Sequence, residues 1–195
     1  MRSIPRRASA LVVAAIATAA LAGCGKVSEK ISEKATEKAT EKMLESALEK
    51  DGGKAKVDLS SGGAKITTTD EKGQVTVMET GNGKPVTEAE LGVAIYPGAS
   101  PADNATMRTQ TAEGHYVATG YESKDSVEKV AGFYREKVRA ISAGKQLMDN
   151  SSNDGTMLAL SDPQTGSSLQ VSISKTDGGS SIQIMSMQAA ASAAK

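Results

Sequence analysis

The chain has 195 residues, enough for one ordinary domain or two small ones, and its formal net charge is zero. Residues 1–23 hold three arginines and no acid, so the remainder carries 20 basic and 23 acidic residues, which excludes the basic footprint of a nucleic-acid-binding protein. Aromatic residues make up only 3% of the chain, so we expect a core built from Val, Ile, Leu, Ala and the eight Met residues. The single cysteine, Cys24, excludes an intramolecular disulfide and a cysteine-based metal site.

The first 23 residues have the layout of an export signal. A positive segment with Arg2, Arg6 and Arg7 precedes the almost wholly apolar stretch Ala8–Ala22. A helix of that length spans about 22 Å, which is shorter than the ~30 Å hydrocarbon core of a bilayer. We therefore predict that residues 1–23 are a signal peptide that is removed, exported by the general secretory route, and not a membrane-spanning helix.

The apolar stretch ends in Leu21-Ala22-Gly23-Cys24, which resembles the lipobox of bacterial lipoproteins. The resemblance implies cleavage between Gly23 and Cys24 and attachment of fatty acyl chains, such as palmitate, to Cys24. Two or three acyl chains hold a protein at a bilayer durably. Enterobacterial lipoproteins that stay in the inner membrane carry Asp after the lipidated Cys, whereas this chain has Gly25. The resemblance thus implies the periplasmic face of the outer membrane, with the cell membrane as the alternative.

Residues 24–53 contain the lipidated Cys and a four-residue repeat, Ser/Thr-Glu-Lys-x, over residues 28–43. The repeat has no Gly or Pro and predicts a helix. Because four residues advance 40° more than a full turn, the apolar stripe from Val27 to Met43 drifts around the helix and disfavours a long coiled coil. Attractive and repulsive charge pairs largely cancel. We interpret the segment as a helical tether, either a spacer or a helix that binds a partner or another copy, and Asp51-Gly52-Gly53 as its flexible joint.

From residue 54 the apolar residues recur at every second position, which is the spacing of a β-strand. This pattern predicts a small three-stranded β-meander over residues 54–84. Residues 85–188 predict an α+β domain, an antiparallel sheet covered by one amphipathic helix. The domain starts with a capping box at Thr87–Glu90 and a Pro97-Gly98 turn. Five strands are expected near residues 106–112, 115–122, 156–161, 169–175 and 180–187. Residues 189–195 form an Ala-rich tail.

The helix of this domain is the clearest in the chain and begins near Ser123 or Asp125. Its apolar residues recur at helical spacing and fall on one face, which we expect to cover the sheet. These are Val127, Val130, Ala131, Tyr134, Val138 and Ile141. Gly144 is expected to end it.

The strings Ile95-Tyr96-Pro97-Gly98-Ala99 and Tyr121–Val130, followed by Phe133-Tyr134, resemble uncharacterised bacterial envelope lipoproteins in which a Tyr-Pro-Gly-Ala turn precedes a β-β-helix unit. This resemblance has implications for the fold but does not imply any activity.

Few residues suggest chemistry. His115 is the only histidine and is interpreted as an exposed residue at a strand end, since a lone His cannot build a zinc site without further ligands. Asp149–Gly155 has alternating oxygen ligands, but Ser161 stands where a calcium loop needs Glu, so a polar loop is expected. The paired glycines are interpreted as turn residues. We therefore predict no catalytic, cofactor-binding or metal-binding residue.

The aromatic residues cluster within about forty positions, and two readings of them stay open. They form the core between helix and sheet, or Tyr116 or Tyr121 lines a binding surface on the sheet face away from the helix. The cluster comprises Tyr96, Tyr116, Tyr121, Phe133 and Tyr134.

Taken together, these features predict a membrane-anchored envelope lipoprotein without enzymatic activity. Its domain is expected to bind an envelope protein, glycan or lipid, or to serve assembly. Two alternatives remain open, a hydrolase acting on envelope material and a structural lipoprotein that acts through its tether.

Overall fold

The computed structural model describes residues 29–49, 53–59, 63–81, 84–103 and 105–190, and for residues 29–34 it describes the backbone alone. The chain divides into two compact units at Thr36 and Glu37. Of the first unit the structure describes the start of one helix, and everything else below belongs to the second. The predicted signal peptide, Gly23, Cys24, the predicted joint at Asp51-Gly52 and the end of the Ala-rich tail lie outside the described residues.

Three helices occur in the described part of the chain: α1 (Glu29–Leu48), α2 (Glu88–Leu91) and α3 (Val127–Ala140). The strands are β1 (Lys54–Asp58), β2 (Gly63–Thr69), β3 (Val75–Gly81), β4 (Ser100–Pro101), β5 (Met107–Thr111), β6 (Gly114–Ser123), β7 (Gln146–Ser151), β8 (Gly155–Ser161), β9 (Ser168–Thr176) and β10 (Gly179–Ala189).

All strands belong to one antiparallel sheet with the order β1-β2-β3-β5-β6-β10-β9-β8-β7, and β4 pairs with β6. The α+β class predicted from the sequence is confirmed. The β-meander, expected as a segment of its own, is continuous with the main sheet because β3 pairs with β5. Strands β1 and β7 are therefore the two edges of a single sheet.

The core lies between α3 and one face of the central strands. The predicted apolar face of α3 is buried at Val127, Val130, Ala131, Tyr134 and Val138. Ile141, expected on the same face, is instead the C-cap residue and is 36% exposed, because the helix ends at Ala140. The sheet contributes β-branched and Leu side chains at alternate positions of β8, β9 and β10 to this core: Leu158, Leu160, Leu169, Val171, Ile173, Ile182 and Ile184.

Local sequence signals predicted several details correctly. The capping box is formed, since the Thr87 hydroxyl accepts from the Glu90 N–H and the Glu90 carboxylate accepts from the Thr87 N–H. The turn at Pro97-Gly98 is closed by the Ala99 N–H donating to the Tyr96 carbonyl, with Gly98 at φ 78°. Such a φ suits Gly at the third position of a type II turn.

Two strands were missed, the two-residue β4 and β7. Asp149–Gly155 was expected to be a loop, but its first three residues belong to β7, which pairs with β8. All six residues of β7 are exposed, so the strand carries no alternation of apolar and polar residues that sequence analysis could detect.

Candidate functional site

Six methionines of the sheet share the face that α3 leaves uncovered. Antiparallel partners point to the same face, so the register assigns each side chain to a face. Alternation puts Ile182 and Ile184 of β10 in the core and the intervening positions on the other side. We call the uncovered side the methionine face, after its six methionines: Met78, Met107, Met148, Met157, Met185 and Met187.

This arrangement corrects the expectation that methionine would help to build the core. None of the six belongs to the buried cluster beneath α3. Met148 is 58% exposed and Met187 is 45% exposed. An apolar side chain that stays in water forgoes the free energy of burial. Six methionines on one face therefore form an exposed apolar surface and are not part of the core packing.

Charged side chains are also distributed unevenly between the two faces of the sheet. The register puts one charged side chain of the described strands, Glu122, on the methionine face. The other charged strand residues point to the opposite side, where Lys65 pairs with Glu79 and Arg135 of α3 pairs with Asp149 of β7. The remaining positions of the methionine face are mainly Ser, Thr, Gln and Ala.

A groove of about 500 Å³ lies on this face where β6, β10, β9, β8 and β7 run side by side. Its apolar wall is formed by Tyr116, Met148, Met185 and Met187, and Gln170 supplies polar groups. Tyr116 is directly opposite Met187 in the register of β6 and β10. The groove can therefore receive apolar side chains and offer hydrogen bonds at its rim.

The structure decides between the two readings of the aromatic residues, one residue at a time. Tyr96, Tyr121 and Tyr134 are buried in the core. The Phe133 ring packs edge-to-face against both Tyr96 and Tyr134, with centroids 5.2 and 5.1 Å apart. Of these aromatic residues Tyr116 alone lies on the methionine face, so of the two tyrosines expected to face away from the helix only Tyr116 does so.

The Tyr-Pro-Gly-Ala turn is fastened to the start of α3. The Tyr96 hydroxyl donates to Asp125 Oδ2 at 2.7 Å, and Lys129 Nζ pairs with Asp125 Oδ1 at 2.9 Å. These two donors hold the pKa of Asp125 below its ordinary value, and the same hydrogen bond raises the pKa of Tyr96. The buried Tyr96 N–H donates to the Tyr134 hydroxyl at 3.2 Å. The network fixes the turn against the start of the helix and lies on the core side of the sheet.

A second polar cluster joins α2 to β5. Glu90 Oε1 accepts from Arg108 Nε at 2.9 Å, and Arg108 Nη2 donates to the carbonyls of Lys84 and Pro85. The Arg108 guanidinium depresses the pKa of Glu90 to about 2. His115 lies beside this cluster and is half-buried, not exposed as the sequence predicted. Both Arg108 nitrogens named here are bonded within the fold, so the Glu90–Arg108 pair is a structural clamp, whereas His115 Nε2 is buried without a hydrogen-bond partner among the described residues.

Asp149 and Asp154 of the Asp149–Gly155 segment are bonded to different elements of the fold. Asp149 Oδ2 accepts from Arg135 Nε at 2.8 Å, which lowers the pKa of Asp149. The Asp154 carbonyl accepts from the Lys175 N–H. Within the described ranges, no group of three His, Cys, Asp or Glu side chains is placed to hold a metal ion.

A scan against protein-family models, a search of curated proteins and a search of solved structures each found no match for this chain. In the part of the chain that the structure describes, no helix has the length and apolar character required to cross a membrane. Cys24, the predicted lipidation site, and the predicted cleavage position after Gly23 lie outside that part.

Sequence reasoning missed the methionine face, although the signal was present. In β10 the order Ile182-Gln183-Ile184-Met185-Ser186-Met187 alternates between branched residues and Gln or Met. Branched aliphatic residues specify packing, whereas Met adapts, so the alternation assigns Ile to the core and Met to the surface.

Proposed function

We propose that this chain is a lipid-anchored lipoprotein of the bacterial envelope, and that its domain is a non-catalytic module which binds a partner protein through the methionine face. The observation that carries the binding role is the concentration of six methionines on a nearly uncharged sheet face.

The anchor is proposed from the sequence alone. The positive residues, the apolar stretch and Leu21-Ala22-Gly23-Cys24 occur in the order that lipoprotein export requires. Gly25 after Cys24 favours the periplasmic face of the outer membrane over the cell membrane. An acyl anchor would leave the whole folded domain in the aqueous compartment, where it can meet other proteins.

A protein fits the methionine face better than a glycan or a lipid does. The centres of protein interfaces are depleted in charge and enriched in Met and Tyr, and this face has the same composition around Tyr116. Methionine has three rotatable bonds and a polarisable sulfur, so a row of them adapts to apolar side chains of different shapes. The Gln and Ser groups between the methionines need hydrogen-bond partners, which a hydrocarbon phase cannot supply.

Mass spectrometry of the mature N-terminus tests the anchor. We expect a chain that begins at Cys24 and carries the mass of the acyl groups, and a Cys24→Ala variant that lacks them. Native protein that still contains Met1, or that lacks acyl mass, would overturn the lipoprotein assignment.

Site-specific photo-crosslinking in intact envelopes tests the methionine face. We expect benzoylphenylalanine in place of Met148 to give a discrete adduct, and we expect Met187→Glu to abolish it because it puts a charge in the apolar wall of the groove. Met43, which is 75% exposed on α1, provides the matched control position.

Three outcomes would contradict a protein partner at this face. The first is an adduct that persists with Met187→Glu, and the second is the same adduct formed from position 43. In the third, the purified, unlipidated chain floats with phosphatidylethanolamine–phosphatidylglycerol vesicles and Met187→Glu prevents this flotation. That result would identify the occupant of the face as lipid.

A further inference from the structure

Two carboxylates of α1, and that of Glu49 directly after it, accept hydrogen bonds from the backbone of β1 and of Leu59, which follows β1. Glu49 Oε1 accepts from the Ala55 N–H at 3.2 Å, and Glu45 Oε1 accepts from the Val57 N–H at 2.9 Å. Glu41 Oε1 accepts from the Leu59 N–H at 2.9 Å. We call these three bonds the glutamate ladder.

The ladder accounts for the four-residue spacing of Glu41, Glu45 and Glu49, of which Glu41 belongs to the repeat over residues 28–43. Glutamates four residues apart on a helix are separated by about 6.0 Å along its axis. N–H groups two residues apart on a strand are separated by about 6.8 Å. The two spacings are close enough for flexible Glu side chains to bond to every second residue of an antiparallel strand. The half-buried positions of α1 near Leu44 and Leu48 lie on the same side of the helix as Glu41 and Glu45.

The ladder covers an edge of the sheet that would otherwise be open. β1 is an edge strand whose inner side pairs with β2. In an antiparallel ladder every second residue directs its N–H and C=O outward, and an unpaired edge of this kind accepts another strand. The carboxylates occupy the outward N–H groups of Ala55, Val57 and Leu59, so no strand can pair there while α1 is in place.

We propose that α1 is a removable cover over a self-pairing edge, and that a second copy of this chain occupies the edge when α1 detaches. The three outward residues are symmetric about Val57. In an antiparallel pair of two β1 strands, Val57 meets the partner's Val57 and Ala55 meets the partner's Leu59, so each uncovered N–H finds a carbonyl.

Charge complementarity supports the second copy as the occupant. The same register sets Lys56 directly opposite the partner's Asp58, and Asp58 opposite the partner's Lys56. Both residues are exposed on their own chain, and Asp58 also interacts with Lys65 of β2. Residues opposed in this way form a non-hydrogen-bonded pair with Cα atoms about 4.5 Å apart, the closest spacing in an antiparallel sheet. Opposite charges at that spacing stabilise the pair.

Sedimentation of the mature chain, made with Cys24→Ala so that no lipid is attached, tests the proposal. A variant with Glu41→Ala, Glu45→Ala and Glu49→Ala should sediment as a dimer at ~100 μM. The matched variant with Gln at the same three positions loses the same charges but keeps the acceptor oxygens, so it should remain a monomer, as should the parent chain.

The charges of the edge provide a second check on the same dimer. In the alanine variant, adding Lys56→Asp leaves only acids at the opposed positions and should return the protein to a monomer. Adding Asp58→Lys as well exchanges the two charges and should restore the dimer.

Amide exchange identifies the outcomes that would overturn the proposal. The first outcome is an alanine variant that stays monomeric while the amides of Ala55, Val57 and Leu59 exchange tenfold faster than in the parent. The edge is then open but does not self-pair. The second outcome is an alanine variant that stays monomeric and whose amides exchange at the same rate as in the parent. The glutamate ladder then does not cover the edge. If the triple variant does not fold, Glu45→Ala should still speed exchange at Val57, and its failure to do so also contradicts the cover.

Discussion

The Glu90–Arg108 pair makes the stability of the domain depend on pH in a defined way. The pKa of Glu90 is depressed from 4.5 to about 2 by Arg108. A depression of that size corresponds to about 3 kcal/mol. One quarter of the Glu90 side chain remains exposed and is screened by water, so we expect Glu90→Gln to lower the free energy of unfolding by about 1 to 2 kcal/mol at pH 7.

The pH dependence follows from the sign of the shift. Because the pKa in the folded protein lies below the ordinary 4.5, the stabilisation is present above that value and is lost as pH falls through 4.5 towards about 2. The difference between the parent chain and Glu90→Gln should therefore be constant above about pH 5.5 and vanish near pH 2.

Urea unfolding followed by circular dichroism at pH 7, 5, 3.5 and 2.5 measures this difference. Glu71→Gln, in the exposed turn between β2 and β3, is the control and should leave the curves unchanged. A Glu90→Gln deficit that stays the same across the series would refute the role of charge. A deficit below about 0.3 kcal/mol at pH 7 would refute the clamp itself.

Two further stability predictions follow from close contacts. Gly179→Ala should cost about 2 kcal/mol or more, since Gly179 has φ 146° and an added Cβ would overlap the Ser123 carbonyl oxygen, whereas Gly178→Ala meets open space. Equal melting temperatures for the two variants would contradict this. Tyr134→Phe should cost about 1 to 3 kcal/mol because it leaves the buried Tyr96 N–H without an acceptor. A urea-unfolding cost no larger than that of Tyr116→Phe would count against it.

The sequence predicted the elements whose patterns are set by local physics. The apolar spacing from Val127 to Val138 defined α3, and the capping residues and Pro97-Gly98 defined the turns before it. These signals act over a few residues and do not depend on the rest of the fold. The strands β8, β9 and β10 were predicted for the same reason, because their core residues alternate.

What the sequence did not reveal depends on partners distant along the chain. β7 is a strand because β8 lies beside it, and its own exposed residues carry no alternation. The glutamate ladder was missed because the charges of the predicted helix were weighed only against one another, whereas Glu45 bonds to a backbone group twelve residues away. The methionine face was missed because every Met was expected in the core, whereas the side of the sheet that a Met occupies depends on its position within the strand.

Separating the thioether side chains from the core has a chemical consequence. Oxidants convert methionine to its sulfoxide, which is polar and disrupts apolar surfaces. In most cores such damage would unfold the protein, but the buried cluster under α3 contains only aliphatic and aromatic side chains. Peroxide treatment should therefore make the methionine face polar and abolish the partner binding proposed for it while the domain stays folded, and methionine sulfoxide reductases should reverse the change.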